Sequence, residues 1–137
     1  FRLEQAGNSE ARYNHHQLVA LRPSDAKTFI FGEFRWLAVS ETYALRAGVR
    51  MLPGVPRGVA VRSTGLNAVA AGEKYIPALA LPAVPALHSP ATLVLPAGWF
   101  RPKRVVEVFS DKAEQVLLTG VIERGSDYER CTYDAVQ

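Results

Sequence analysis

The chain has one cysteine, one methionine and no apolar run near the roughly 20 residues that a membrane-crossing helix needs. Cys131 by itself excludes an internal disulfide and a cysteine-rich zinc site. It reads as a small apolar filler near the C-terminal strand rather than a reactive thiol, which fits a reducing, cytoplasmic setting. Catalytic punctuation is missing too. There is no Gly-x-Ser-x-Gly elbow, no Gly-x-x-x-x-Gly-Lys-Ser/Thr loop, no Gly-x-Gly-x-x-Gly turn and no His-Glu-x-x-His. Glu33, Glu41, Glu107 and Asp111 are present, but nothing brackets a pair of them as acid and base, so a non-enzymatic role is expected. Stretches with helical periodicity are almost absent, which is unusual for a globular chain.

What remains is an ordinary amount of core-forming material. Of 137 residues, 48% are hydrophobic and 21% charged, enough for one domain or two very small ones packed together. Opening on Phe1 without a methionine, the sequence reads as a fragment of a longer chain. The net charge is +3, with twelve arginines against four lysines. A guanidinium fork suits phosphate and guanine, but acidic residues are interspersed and no long basic run forms.

The strongest structural signal is Phe29-Ile-Phe-Gly-Glu-Phe-Arg-Trp-Leu-Ala-Val followed by Leu45-Arg-Ala-Gly-Val-Arg-Met-Leu-Pro-Gly. These read as two antiparallel strands, residues 28–40 and 44–52, joined by a short polar turn. In the second, Leu45, Ala47, Val49 and Met51 share one face while Arg46, Gly48 and Arg50 share the other, a clean period of two. Phe34 and Trp36, two apart, are expected together in the core, with ligand stacking as the secondary reading. Glycines in mid-strand mark bends or close backbone approach, as a small curved barrel requires.

Residues 1–4 read as a strand remnant, 5–14 as a polar loop and 16–21 as a loosely alternating strand. Residues 58–63 suggest an edge strand, and 65–72 are too short for a helix. Five prolines, at 77, 82, 85, 90 and 96, punctuate residues 75–96, which read as extended chain and short edge strands around a core. Residues 104–110, 115–124 and 128–136 return to strand chemistry with hairpin spacing, suggesting a second β-module or completion of the first sheet.

Gln17-Leu-Val-Ala-Leu-Arg-Pro, Gly32-Glu-Phe-Arg-Trp-Leu and Ala47-Gly-Val-Arg-Met-Leu-Pro-Gly together resemble the latter part of a PilZ domain, the bacterial β-barrel family that senses cyclic di-GMP. Phe1-Arg-Leu-Glu would follow that family's glycine turn. The resemblance implies an all-β fold, with a small antiparallel PilZ-like barrel over residues 1–63 lacking its N-terminal part. A second β-module over residues 64–137 would follow, with the proline-rich connection between. It also implies a non-catalytic signalling role: binding cyclic di-GMP, or passing the signal to a protein partner by surface contact. No other cofactor is implied.

The family's ligand motifs are an Arg-x-x-x-Arg segment before the barrel and an Asp/Asn-x-Ser-x-x-Gly turn. The second does not occur here. The first occurs only as Arg46-Ala-Gly-Val-Arg50, late on a strand, where the two side chains stand about 13 Å apart on one solvated face. Either the motifs lie upstream of Phe1 or they have been lost, and no binding residue carries over. The weak ligand candidates are therefore Arg46 and Arg50, with Arg101 and Arg104 from the cluster Trp99-Phe100-Arg101-Pro102-Lys103-Arg104. That cluster suits an alternative role, a nucleic-acid-binding barrel with an arginine–aromatic surface. The bland alternative is a loop with Trp99 or Phe100 tucked into the core. His15 and His16 would point to opposite faces of a strand and are poorly placed to share a metal ion. Oligomeric state, partner and pathway are left open.

Overall fold

The computed structural model describes residues 2–5, 13–39, 41, 43–64 and 74–136. Most of the polar loop expected at 5–14, and the segment at 65–72, lie outside the described residues. Two compact units are present: residues 1–52 with 125–127, and residues 53–124 with 128–137.

The first unit is a four-stranded antiparallel sheet built from β1 (Arg2–Gln5), β2 (Leu18–Leu21), β3 (Ile30–Val39) and β4 (Leu45–Met51), in the order β1-β4-β3-β2. Its core face follows the alternation read from the sequence: Ala47 and Val49 from β4 meet Phe34, flanked by Tyr13, Val19, Leu21, Leu37 and Met51. Tyr13 meets the Phe34 ring edge-on at 5.4 Å between centroids. Within this unit Ser126 donates its N–H to the His16 carbonyl, and the Asp127 carboxylate accepts the Leu18 N–H at 2.8 Å.

The second unit is a closed antiparallel barrel. Its strands are β5 (Arg57–Ser63), β6 (Ile76–Leu81), β7 (Thr92–Pro96), β8 (Val105–Phe109), β9 (Ala113–Arg124) and β10 (Tyr128–Ala135). They run β10-β7-β6-β5-β8-β9 around the cylinder, with β9 closing on β10. Val59, Val61, Ala78, Leu93, Leu95, Val106, Val116, Leu118 and Cys131 fill it, so interior residues alternate with exterior ones on each strand as a small barrel demands. Among the described residues the helical content is one 3₁₀ turn, Pro85–Leu87. Among the described residues no helix is long and apolar enough to cross a membrane.

An all-β chain with a closed antiparallel barrel is therefore observed, but closure happens in the other half from the one expected. Strands β1 and β2 are the two outer strands of the first sheet and, among the described residues, do not pair with each other, so this sheet is an open layer. The boundary falls at Leu52/Pro53 rather than after residue 63. Residues 58–63, expected as an edge strand, lie in β5, which pairs on both sides, with β6 and with β8. The proline-rich stretch contributes two interior barrel strands: Pro77 sits inside β6 opposite Ala60, and Pro96 ends β7. Proline lacks only an N–H donor, so it is tolerated wherever that position would not have bonded a neighbour.

The glycines act through close approach more than through bending. A Cβ on Gly32 would strike the Val49 side chain and the Arg50 carbonyl, and a Cβ on Gly48 would strike the indole of Trp36.

A candidate anion-binding face on the first sheet

A β-bulge decides what the polar face of the first sheet displays. Strand β3 pairs Glu33 with Arg50 and Phe34 with Val49, then Trp36 with Gly48 and Leu37 with Ala47, leaving Arg35 as the extra residue. One inserted residue reverses the alternation beyond it. Phe34 and Leu37, three apart, thus share the core face, while Glu33 and Trp36 share the other. The expectation that Phe34 and Trp36 both enter the core is corrected here: Phe34 is 5% exposed and Trp36 is 42% exposed.

Trp36 lies flat over Gly48, where any side chain would displace it. Across β4 from it, Arg2 of β1 pairs with the same Gly48. Arg2, Arg35, Trp36, Gly48, Val49 and Arg50 line an open cavity of about 300 Å³. Three guanidiniums around an exposed indole supply the two things a nucleotide-like anion needs: charge-assisted donors for phosphate and a flat apolar surface for a ring.

Beneath this rim sits a buried carboxylate. The Glu33 side chain is only 4% exposed; its Oε2 accepts from Arg50 at 2.9 Å and lies 4.0 Å from Arg35 Nη1. Its Oε1 stands 2.6 Å from His16 Nδ1. Both oxygens are thus engaged by cationic or titratable groups, as a buried charge requires. His16 is held for this contact by its backbone: at φ 62° it occupies the left-handed region, its N–H donates to the Phe34 carbonyl, and its carbonyl accepts from Ser126. The two histidines do not share a site: the His16 imidazole turns to Glu33, and the His15 ring stands 6.5 Å from it, centroid to centroid.

The four arginines singled out from the sequence separate. Arg50 belongs to the cavity; Arg46 lies on the same face of β4, two rows away and opposite Ala38, and does not line it. Arg101 and Arg104 serve the turn before β8. Arg101 donates to the carbonyls of Gly98 and Phe100, and Arg104 donates to the Trp99 carbonyl at 2.6 Å while lying over its ring at 4.7 Å. Trp99 and Phe100 pack against the barrel core. That cluster is a turn stapled by its own arginines. Arg2 and Arg35 were not singled out from the sequence. The available signal was the adjacent apolar pair Trp36-Leu37, which breaks the strand's period of two.

Two further arginines are structural. Arg130, 3% exposed, donates to Thr92 Oγ1 at 3.0 Å, Ser89 Oγ at 2.6 Å and Glu123 Oε1 at 3.1 Å. Arg124 holds the buried Glu129 carboxylate at 3.0 Å. On the barrel exterior Tyr75 donates its hydroxyl to Glu107, a hydrogen bond that raises the phenol's pKa, and Arg62 lies over the Tyr75 ring at 4.6 Å. Burial, reinforced by the nearby Glu129 carboxylate, pushes the Cys131 thiol up to about 11.

Comparison with curated proteins and with solved structures finds no match to either. A family model, the FimW C-terminal beta-barrel domain, matches residues 59–136. The matched span runs from within β5 to the end of β10 and coincides with the closed barrel. The motifs that carry the PilZ resemblance, within residues 17–54, precede it. Since the match takes in more than half of the sequence, the chain belongs to the FimW C-terminal beta-barrel domain family.

Proposed function

We propose that this chain is a non-catalytic signalling module that takes up a phosphate-bearing ligand on the polar face of its first sheet. The PilZ resemblance makes a cyclic dinucleotide such as cyclic di-GMP the first ligand to try. The observation that carries the reading is Trp36 spread over Gly48 with Arg2, Arg35 and Arg50 lining the same cavity. In this reading the guanidiniums hold phosphate and the indole stacks a base.

Calorimetric titration with cyclic di-GMP tests it. The expected result is saturable heat that is lost in Arg35→Ala and Trp36→Ala. Silence from the unaltered protein would sink the ligand reading and favour an adaptor that works by protein contact alone. The exposed indole among cations also favours a second reading, uptake of single-stranded nucleic acid. Salt-sensitive binding of oligonucleotides, with no response to the dinucleotide, would select it.

A further inference from the structure

Glu33 occupies two positions in the charge balance of this face. Through Oε2 it offsets Arg50 and, at 4.0 Å, Arg35, both of which line the cavity. Through Oε1 it meets His16 Nδ1 at 2.6 Å. A neutral imidazole leaves the carboxylate charge to be shared with the arginines, where it competes with an incoming anion. A protonated imidazole takes up that charge locally and makes the face one unit more positive.

We infer that His16, acting through Glu33, makes the anion affinity of the Arg2–Arg35–Arg50 cavity depend on pH, with tighter binding when the imidazole is protonated. The inference rests on the reading of that cavity as an anion site. His16 is a positioning residue in this scheme; it does not line the cavity. Among the described residues the charged and titratable groups around it include Glu33 and Arg35 on β3, Arg50 on β4, the neighbouring His15 ring, and Asp127, whose carboxylate accepts the Leu18 N–H. The geometry assigns the coupling to His16, since its ring is the one against the buried carboxylate.

The backbone fits such a role. At φ 62° His16 stands in the left-handed region, which histidine adopts more readily than most residues, and hydrogen bonds at its N–H and its carbonyl hold it there. Asparagine tolerates that conformation, so His16→Asn removes the titrating group without a backbone conflict.

Cyclic di-GMP serves as the probe because its phosphodiesters keep their charge through this range. Its affinity is measured at about pH 5.5 and about pH 8, and proton uptake on binding is read by calorimetry in two buffers of different ionisation enthalpy. The His16 side chain is half exposed and partly screened, so the expected gain at acid pH is about three- to tenfold. A fractional proton should be taken up per ligand bound. His16→Asn should bind at the weaker level at both pH values with no proton uptake, while His15→Gln should keep the full effect. Circular dichroism verifies that each variant is folded. Equal affinity at both pH values without proton uptake overturns the coupling and leaves the anion site standing. No binding at either pH overturns the site and the coupling together.

Discussion

Trp36 lies on Gly48: the indole occupies the space that any side chain at position 48 would need. The strand pairing sets the two residues opposite each other, and the bulge at Arg35 turns the tryptophan to the polar side. Gly48→Val should therefore lift the indole off the sheet into water. A red shift in tryptophan emission would register this, although Trp99 contributes a constant background. Loss of a stacked ring is worth about 1–3 kcal/mol, so ligand affinity should fall about tenfold or more. An unchanged emission spectrum would contradict the packing described.

The Glu33–Arg50 pair is unequal, because the carboxylate is 4% exposed and the guanidinium 36%. Removing the arginine leaves charge buried, whereas removing the acid leaves an arginine that can reach water. Arg50→Ala should cost about 3 kcal/mol and Glu33→Gln about 1 kcal/mol, read from urea unfolding midpoints. The reverse order would show that the carboxylate is not the buried member.

Arg130 reaches three partners in three directions within the barrel wall. A lysine has no planar fork with which to copy this, so Arg130→Lys should destabilise nearly as much as Arg130→Ala, by about 3 kcal/mol. Thermal unfolding of the two variants provides the comparison. A lysine variant as stable as the parent would show that only the charge matters.

Cys131 is fully buried in the barrel, with its pKa raised to about 11. The folded state keeps the thiol protonated where the unfolded chain has begun to ionise. Stability should therefore decline as pH rises from about 9 to about 11, by a contribution on the order of 2 kcal/mol that Cys131→Ala lacks. Below the ordinary thiol range the contribution vanishes. In the native protein a thiol reagent should react at the rate of unfolding, not at the rate of a free thiol.

Much of the strand content could be read directly. Leu45, Ala47, Val49 and Met51 alternate without interruption, and β4 follows them residue for residue. Barrel closure could not be read, because it depends on pairings such as β10 with β7 and β5 with β8, which join segments far apart in the chain. Alternation says which face is apolar and is silent about which strand lies alongside. Of the cavity residues the sequence marks Arg50 as a ligand candidate and Trp36 as a core aromatic with ligand stacking as its secondary role. Arg35 is the bulge itself, and Arg2 enters only through its pairing with Gly48, a contact with no local signature.

The bulge at Arg35 also bears on how such a face arises and disappears. Deleting that one residue would restore simple alternation to β3 and leave Trp36 opposite Gly48, whereas flattening the bulge with Arg35 kept in the ladder would send the indole toward the apolar side. The extra codon thus adds a guanidinium beside the indole without altering the pairing on either side of it. Lineages sharing this scaffold could gain or shed that guanidinium in one mutational event, with the indole and the arginines on β4 untouched.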